Sequence, residues 1–177
     1  MNAVTNFLIE PLDVARHRRS DFRCESAGLT EYLRQQARKE MSAKTSVCFV
    51  LAPVSDAGRI AGYYTLSASS VLLAKLPAAL SRGLPRYPEV PATLLGRLAR
   101  DLEFKGQGTG PLLMRDAMQR AWTHSAEIGS VAIVTDPKDG QAAAFYRQFG
   151  FQTLDERRMF VSMHEVGRWL MALNHGP

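Results

Sequence analysis

The segment FKGQGTGPLL, at positions 104–113, carries glycines at every second position between a strand-like run and a helical run. A strand that enters a helix through such a loop leaves several backbone N–H groups unpaired at the positive end of the helix dipole. Glycine permits the close approach of a ligand and the positive φ values that a nest of amides requires. We therefore expect an anion site, above all for phosphate, formed by Lys105, Gly106, Gln107, Gly108, Thr109, Gly110 and Pro111.

Two nucleotide-binding motifs do not fit this loop. In a P-loop, a Lys and a Ser or Thr follow the last glycine, whereas Pro-Leu-Leu follows Gly110. In a Rossmann fingerprint, the last glycine would fall at the position of Pro111. A plain strand-to-helix turn is the alternative, but such a turn requires fewer glycines, so phosphate binding is the favoured interpretation.

Helical and strand-like patterns alternate along the rest of the chain. Two β-branched and aromatic runs around SDAG predict a hairpin, and the helix after the glycine loop has Pro111 in its first turn. Four prolines between positions 75 and 91 leave room for a short helical turn only. The predicted strands lie at 7–12, 46–54, 59–69, 92–104, 130–136, 151–154 and 157–163, and the predicted helices lie at 29–41, from 112 onward, at 139–150 and at 165–173. We expect one α/β (α+β) domain over residues 1–177.

The composition narrows the class of protein and its partners. With 177 residues, of which 46% are hydrophobic, the chain can form one full core, and its net charge of +5 favours anionic partners. Cys24 and Cys48 match no disulfide framework, the first residues match no leader peptide, and no apolar run is long enough for a bilayer. We therefore expect a cytoplasmic protein without a membrane partner. No metal is expected, because the spacing of His17, His124, His164 and His175 is not that of metal ligands.

The glycine loop also resembles the acetyl-CoA signature of the GCN5-related N-acetyltransferase (GNAT) superfamily. That signature is Arg or Gln, two residues, Gly, one residue and then Gly or Ala, and here it runs from Lys105 to Gly110. The resemblance implies that the loop amides bind the diphosphate of acetyl-CoA, and that the strand edge at Leu98, Ala99 and Arg100 pairs with its pantetheine arm. Lys105 departs from the usual Arg or Gln, and Arg100 departs from a small aliphatic residue.

A second stretch, DGQAAAFYRQFGF at positions 139–151, resembles the GNAT segment in which Asn, Ala, Phe-Tyr and Gly-Phe recur. Those positions are occupied by Asp139, Ala142, Phe145, Tyr146, Gly150 and Phe151. The resemblance implies that Asp139 and Phe145 contact the cofactor and that Tyr146 is the catalytic residue. It also implies a single GNAT fold, with a central, mixed, mostly antiparallel sheet of about six or seven strands flanked by helices.

The resemblance continues into one branch of the superfamily. FRCESAGLTEYLRQQA, LGRLARDLEFKGQGTGPLLMRDAM and MFVSM are similar to segments of GNAT toxins from bacterial toxin-antitoxin pairs. This resemblance implies an N-acetyltransferase that transfers acetyl from acetyl-CoA to the α-amine of aminoacyl-tRNA and thereby stops translation. It further implies neutralisation by a ribbon-helix-helix antitoxin and assembly as a homodimer.

The implied chemistry gives Tyr146 one role. An α-amine titrates near pH ~8, against ~10.4 for a lysine side chain, so an aminoacyl amine needs no strong protein base. The leaving thiolate needs a proton, which Tyr146 would donate as general acid, while backbone amides near residues 98–100 would bind the oxyanion. The helical spacing of Ala142, Phe145 and Phe149 also fits a purely structural role, in which Tyr146 borders the buried stripe that these residues form.

Basic residues spread along the chain offer contacts to tRNA phosphates. Such contacts give affinity without sequence choice, and binding through them weakens steeply with salt. Each basic cluster alone also fits an ordinary solvated face. The basic candidates are Arg16 to Arg19, Arg34 to Lys39, Arg82, Arg86, Arg97, Arg100, Arg157 and Arg158. The candidates for stacking on nucleotide bases are Tyr63 and Tyr64, of which one is expected to face the core. Asp101 and Glu103 are expected to be solvated carboxylates rather than bases.

Two other functions stay open on the sequence alone. One keeps the acetyltransferase but changes the acceptor of the acetyl group to a small-molecule amine or a protein N-terminus. The other is a non-catalytic nucleotide-binding or RNA-binding module, in which a Tyr146→Phe variant would keep its biological effect. Incorporation of labelled acetyl into charged tRNA separates these functions from the toxin hypothesis.

Overall fold

The structure is a computed structural model, and it describes residues 6–174. Residues 1–5 lie outside the described residues, and they belong to the N-terminal stretch in which no leader peptide is expected. His175 also lies outside the described residues. The chain groups into two compact units, the first of Met1–Ser67 with Gly96–Ala117 and the second of Ala68–Leu95 with Met118–Pro177.

The helices and strands follow the predicted order. The strands among residues 6–174 are β1 Phe7–Pro11, β2 Val47–Pro53, β3 Gly62–Leu72, β4 Glu89–Arg100, β5 Ala132–Thr135, β6 Gln152–Thr153 and β7 Met159–Ser162. The α-helices in the same stretch are α1 Ala27–Glu31, α2 Ala37–Ser42, α3 Ala78–Ser81, α4 Thr109–Ser125, α5 Gly140–Arg147 and α6 Met163–Asn174. A π-helical turn at Tyr32–Gln36 joins α1 to α2, and 3-10 helices lie at Arg19–Asp21, Leu73–Lys75 and Leu102–Phe104. The short helical turn predicted among the prolines is α3.

The seven strands form one sheet in the order β1-β2-β3-β4-β5-β7-β6. The pairs β1–β2, β2–β3, β5–β7 and β6–β7 are antiparallel, and the pair β4–β5 is parallel. The predicted hairpin is the β2–β3 pair, in which Val50 lies opposite Tyr63. The α/β (α+β) class and the mixed, mostly antiparallel sheet flanked by helices are therefore confirmed.

The helix predicted over 29–41 is confirmed in the first unit as α1, the π-helical turn and α2. Ser26 caps its start, because the Ser26 hydroxyl accepts a hydrogen bond from the backbone N–H of Leu29. Its apolar side chains Tyr32, Leu33 and Ala37 are buried. These side chains belong to a buried cluster with Leu12, Phe22, Cys48, Val50, Ile60, Tyr63 and Ala99.

The prediction that Tyr63 or Tyr64 stacks on nucleotide bases is wrong. Neighbouring residues of a strand point to opposite faces, and both rings are fully buried, so both faces of β3 are covered at this point. Tyr63 Oη donates to the Leu29 carbonyl oxygen at 2.6 Å, and Tyr64 Oη donates to a carboxylate oxygen of Asp116. Neither ring is therefore available to a nucleotide base.

β4 differs from the predicted strand at both ends. The sequence predicts a strand over 92–104, whereas β4 is Glu89–Arg100 and the 3-10 helix Leu102–Phe104 follows it. At the C-terminal end the cause is Asp101, whose carboxylate accepts from the backbone N–H of Glu103 at 3.0 Å and so caps the 3-10 helix. Asp101 is 1% exposed, so the expectation of a solvated carboxylate is wrong for it. Glu103, with an exposed side chain, is solvated as expected.

The second unit has a core of its own. Its buried cluster contains Val71, Leu76, Val90, Ala92, Ala132, Val134 and Phe160. The helix predicted over 139–150 is α5, which ends at Arg147, and Gly150 follows with a φ of 88°. Glycine adopts this left-handed conformation without strain, and the chain can therefore turn from α5 towards β6. The predicted terminal helix is α6.

Among residues 6–174 no helix combines the length and the apolar character that crossing a bilayer requires. The same residues contain no group of three or more His, Cys, Asp or Glu side chains able to hold a metal ion.

Candidate functional site

The glycine loop lies between the 3-10 helix Leu102–Phe104 and α4, in the first unit. Gly106 and Gly108 have φ values of 78° and 72°, in the left-handed region that L residues rarely adopt. A Cβ atom added to either glycine would meet nothing within 4 Å, so the space beside both is open. Positive φ values and open space are the properties that a nest of amides around an anion requires.

α4 begins at Thr109, directly after the loop. The first backbone N–H groups of this helix have no acceptor within the helix, and they lie at the positive end of its dipole. Thr109 is 1% exposed, and its Oγ1 atom has no hydrogen-bond partner among residues 6–174. A buried hydroxyl without a partner costs about 1–3 kcal/mol, so this position favours a polar ligand. Gly110 is also buried, and Pro111 lies in the first turn, where a missing N–H costs nothing.

The side chains of Lys105 and Gln107 have partners other than an anion. Lys105 Nζ donates to Glu25 Oε1 at 2.9 Å in an exposed ion pair. Gln107 Nε2 donates to the Glu103 carbonyl oxygen at 3.3 Å. An exposed pair contributes about 0–1 kcal/mol, so Lys105 is readily released to a bound anion. The backbone, rather than these two side chains, forms the candidate site.

The predicted strand edge at Leu98, Ala99 and Arg100 is the last part of β4. Ala99 is buried, and Leu98 and Arg100 are half-buried. β4 is in register with β5 at Thr93 and Leu94, and it continues past these residues to Arg100. In the first unit, residues 98–111 thus form one continuous stretch of strand, loop and helix. Pairing of this edge with a ligand stays a prediction.

Tyr146 lies in α5, in the second unit, and is 7% exposed. Its ring contacts Phe145 and Phe151, with centroid distances of 5.6 and 5.4 Å. Burial raises the pKa of Tyr146 above its ordinary value of 10.0, so the phenol is protonated at neutral pH. A protonated group is what general acid catalysis requires.

Thr135, the last residue of β5, is a candidate that the sequence analysis missed. It is 1% exposed, and its Oγ1 donates to the Leu95 carbonyl oxygen at 2.8 Å. The same hydroxyl hydrogen-bonds with Tyr146. This bond lowers the pKa of Tyr146 and so opposes the larger effect of burial. The available signal was a polar residue near the end of the otherwise apolar run SVAIVTD.

Replacing Thr135 by Val keeps the shape of the side chain and removes its hydroxyl. We expect the free energy of unfolding to fall by about 1–3 kcal/mol, because Tyr146 Oη and the Leu95 carbonyl each lose a buried partner. For the acetyl transfer that the resemblance implies, we also expect kcat to fall by about tenfold, because the phenol is no longer oriented. Thermal unfolding and steady-state kinetics measure the two effects. An unchanged kcat would mean that Thr135 has no part in orienting Tyr146.

Asp139 and Phe145 have structural partners in the second unit. Asp139 is the N-cap of α5, where its Oδ1 accepts from the backbone N–H of Ala142 at 2.8 Å. Asn and Asp serve equally well in this role, so the departure from the family pattern at this position is tolerated. Phe145 packs against Phe149, with 5.1 Å between ring centroids. Contacts of Asp139 and Phe145 with a cofactor stay predictions.

Several of the basic residues are paired within the protein. His17 is 3% exposed, so it is not part of a solvated basic face. Arg97 stacks on the ring of Tyr32, with its guanidinium carbon 3.6 Å from the ring centroid. The ion pairs of these residues within 6–174 include Arg16–Glu10, Arg18–Asp21, Arg18–Asp56, Arg157–Asp136 and Arg158–Asp136. Arg157 has the most open of these side chains, at 78% exposure, and contacts of any of these residues with tRNA stay predictions.

Comparisons with known proteins identify relatives over most of the chain. The profile of the acetyltransferase (GNAT) family matches residues 12–151. The tRNA-acetylating toxin of Mycobacterium tuberculosis (strain ATCC 25618 / H37Rv) is 35% identical over 133 residues, which are 75% of this chain and 77% of that protein. The probable toxin TacT of Sinorhizobium fredii (strain NBRC 101917 / NGR234) is 29% identical over 168 residues, which are 90% of this chain and 92% of that protein.

A solved structure has the same fold. AtaT complexed with acetyl-methionyl-tRNAfMet matches this structure with a TM-score of 0.84 and 26% identity, over 92% of this chain and 98% of that chain. The family match includes both the glycine loop and Tyr146, and it confirms the resemblance found in the sequence. The chain therefore belongs to the acetyltransferase (GNAT) family.

Proposed function

We propose that this N-acetyltransferase transfers the acetyl group of acetyl-CoA to the α-amine of aminoacyl-tRNA, and that it acts as the toxin of a toxin-antitoxin pair by blocking translation. The observation that carries the proposal is the anion nest at the start of α4, with its unpartnered, buried Thr109 hydroxyl. The 35% identity to a tRNA-acetylating toxin supports the choice of acceptor.

The glycine loop and the end of β4 would bind the diphosphate and the pantetheine arm of acetyl-CoA. The backbone amides of Gly106, Gly108, Thr109 and Gly110 bind the diphosphate, and Thr109 Oγ1 gains the partner that it lacks. An anion at a helix N-terminus gains about 0.3–2 kcal/mol from the dipole, and glycine at positions 106 and 108 admits the phosphates closely. Leu98, Ala99 and Arg100 pair with the amides and carbonyls of pantetheine through their backbone.

Tyr146 would supply the proton for the leaving group. The α-amine nitrogen attacks the thioester carbonyl carbon, so that a C–N bond forms and the C–S bond breaks. The amine releases one proton to water, Tyr146 donates its phenolic proton to the CoA sulfur, and water returns a proton to the phenolate. The raised pKa of Tyr146 keeps this proton in place until the thiolate develops. An α-amine, with a pKa near ~8, reacts without a protein base.

Further parts of the proposal concern partners and assembly. Basic residues, Arg157 among them, contact tRNA phosphates, and the net charge of +5 favours this encounter. Residues 1–177 act as a single domain, in the cytoplasm, as a homodimer. A ribbon-helix-helix antitoxin neutralises the toxin, so a small gene for such a protein is expected directly upstream.

The test is incubation with labelled acetyl-CoA and total charged tRNA. We expect the label in an amide on the esterified amino acid. Mild alkali is expected to release the label from tRNA, because it hydrolyses the ester bond between the amino acid and tRNA. Deacylated tRNA is expected to take up no label. Label in free amines or protein N-termini, with none in charged tRNA, would favour the other acetyltransferase function. Absence of any transfer, with binding of CoA or RNA retained, would favour a non-catalytic binding module.

A further inference from the structure

Asp101 is a buried carboxylate immediately before the 3-10 helix that leads into the glycine loop. Each of its oxygens accepts two hydrogen bonds. Oδ1 accepts from Arg59 Nη2 at 2.9 Å and from the backbone N–H of Glu103 at 3.0 Å. Oδ2 accepts from the backbone N–H of Arg23 at 2.8 Å and from Arg59 Nη1 at 3.3 Å. Because these donors surround both oxygens, Asp101 is a structural anchor and not a free base.

Arg59 holds Asp101 through both guanidinium nitrogens, although 42 residues separate the two in sequence. The side chains of Arg59 and Asp101 are 13% and 2% exposed. Arg59 Nη1 also donates to the Ile60 carbonyl oxygen at 3.1 Å, and Nη2 donates to Glu103 Oε2 at 2.8 Å. The guanidinium carbon lies 5.4 Å from the centroid of the Phe104 ring. A forked contact of this kind fixes both partners in one geometry.

This anchor determines how the glycine loop leaves β4. Asp101 caps the 3-10 helix, and the carbonyl oxygens of Leu102 and Phe104 then accept from the backbone N–H groups of Lys105 and Gln107, each at 3.3 Å. These two bonds fold the loop back on the 3-10 helix. Gly106 and Gly108, which alternate with the bonded residues, have the positive φ values of the nest.

We propose that Arg59 and Asp101 are positioning residues that preorganise the glycine loop for the diphosphate of acetyl-CoA. The inference rests on the proposed function. The pair acts through the loop backbone and touches neither the diphosphate nor the reacting atoms. A loop that is held in its binding geometry spends less free energy on ordering when the ligand binds. Loss of the pair therefore weakens binding of acetyl-CoA and leaves the chemical step at saturation largely unchanged.

Two variants and one control test the proposal. Asp101→Asn removes the charge and places an N–H₂ group against donors, and Arg59→Lys keeps the charge but loses the fork. Glu103→Gln is the control, because it removes the exposed partner of the same arginine. We expect the Kd for CoA by calorimetry and the KM for acetyl-CoA to rise by about tenfold or more in both test variants, with kcat within about threefold of wild type. Glu103→Gln is expected to bind CoA as the wild type does.

The outcomes separate this inference from the proposed function. Circular dichroism and thermal unfolding establish that each variant is folded, and Arg59→Lys decides the question if Asp101→Asn does not fold. A merely structural role lowers the folded fraction and therefore kcat, without a rise in KM. Unchanged Kd and KM in the folded variants overturn the inference alone. A wild-type chain that binds no CoA overturns the proposed function, and the inference with it.

Discussion

Tyr146→Phe is expected to lower kcat for acetyl transfer by about 10²-fold or more, with little change in the KM for acetyl-CoA. The substitution removes the one proton that the proposed mechanism delivers to the leaving sulfur. It keeps the ring that packs against Phe145 and Phe151, so the core of the second unit stays filled. The free energy of unfolding is expected to fall by about 1 kcal/mol, because the hydrogen bond with Thr135 is lost.

Tyr63→Phe is the matched control for this variant. Tyr63 is also a buried tyrosine, and its hydroxyl donates one hydrogen bond, to the Leu29 carbonyl oxygen. The control therefore loses a comparable hydrogen bond in the first unit and is expected to keep kcat near that of wild type. Steady-state kinetics with saturating charged tRNA, together with thermal unfolding, compare the two. A kcat of Tyr146→Phe within about threefold of wild type would leave Tyr146 a packing role only.

The order of elements and the glycine loop were predictable because their signals are local. Apolar residues at helical spacing predict the helix that includes Leu33 and Ala37, and both are buried. The alternating glycines predict a backbone of positive φ, which Gly106 and Gly108 adopt. In each case, the residues that determine the local conformation are neighbours in the sequence, so the sequence alone suffices to predict it.

The pairing of Arg59 with Asp101 was not predictable, because nothing local relates a hairpin loop to the end of β4 42 residues later. A lone carboxylate beside a strand end is solvated unless the fold brings a cation to it, and here the fold brings Arg59. This contact also explains why β4 ends before the predicted boundary. Strand propensity continues through Leu102 and Phe104, but the cap on Glu103 N replaces the ladder with a 3-10 turn.

The burial of both Tyr63 and Tyr64 was also beyond the sequence pattern. An alternating strand predicts one buried and one open face, and adjacent tyrosines then present one ring to solvent. β3 lies between β2 and β4, inside the sheet, and both tyrosines are fully buried. Thr135 is a similar case, since a threonine at a strand end is common, and only its hydrogen bonds to Leu95 and Tyr146 give it a role.

Gly108→Asp is expected to raise the Kd for CoA by a further factor of about 10–100 relative to Gly108→Asn, at low ionic strength. Both side chains tolerate positive φ better than most L residues, and neither Cβ atom meets a neighbour within 4 Å, so the two variants fold alike. Both also hinder the approach of the phosphates equally. The remaining difference is one negative charge. It repels one phosphate charge about 5 Å away by about 3 kcal/mol at an effective dielectric constant of ~20 and by about 1 kcal/mol in water, and the expected factor lies between these two values.

Calorimetric titration of CoA into the Asp and Asn variants of position 108, at low and at high salt, measures this difference. The ratio of the two Kd values is expected to shrink as ionic strength rises, because added salt screens the repulsion over a Debye length of about 10 Å at 0.1 M. Steric hindrance, which both variants share, is independent of salt and cancels from the ratio. Equal Kd values at low salt would place the diphosphate away from Gly108, and the loop would then be an ordinary turn between a strand and a helix.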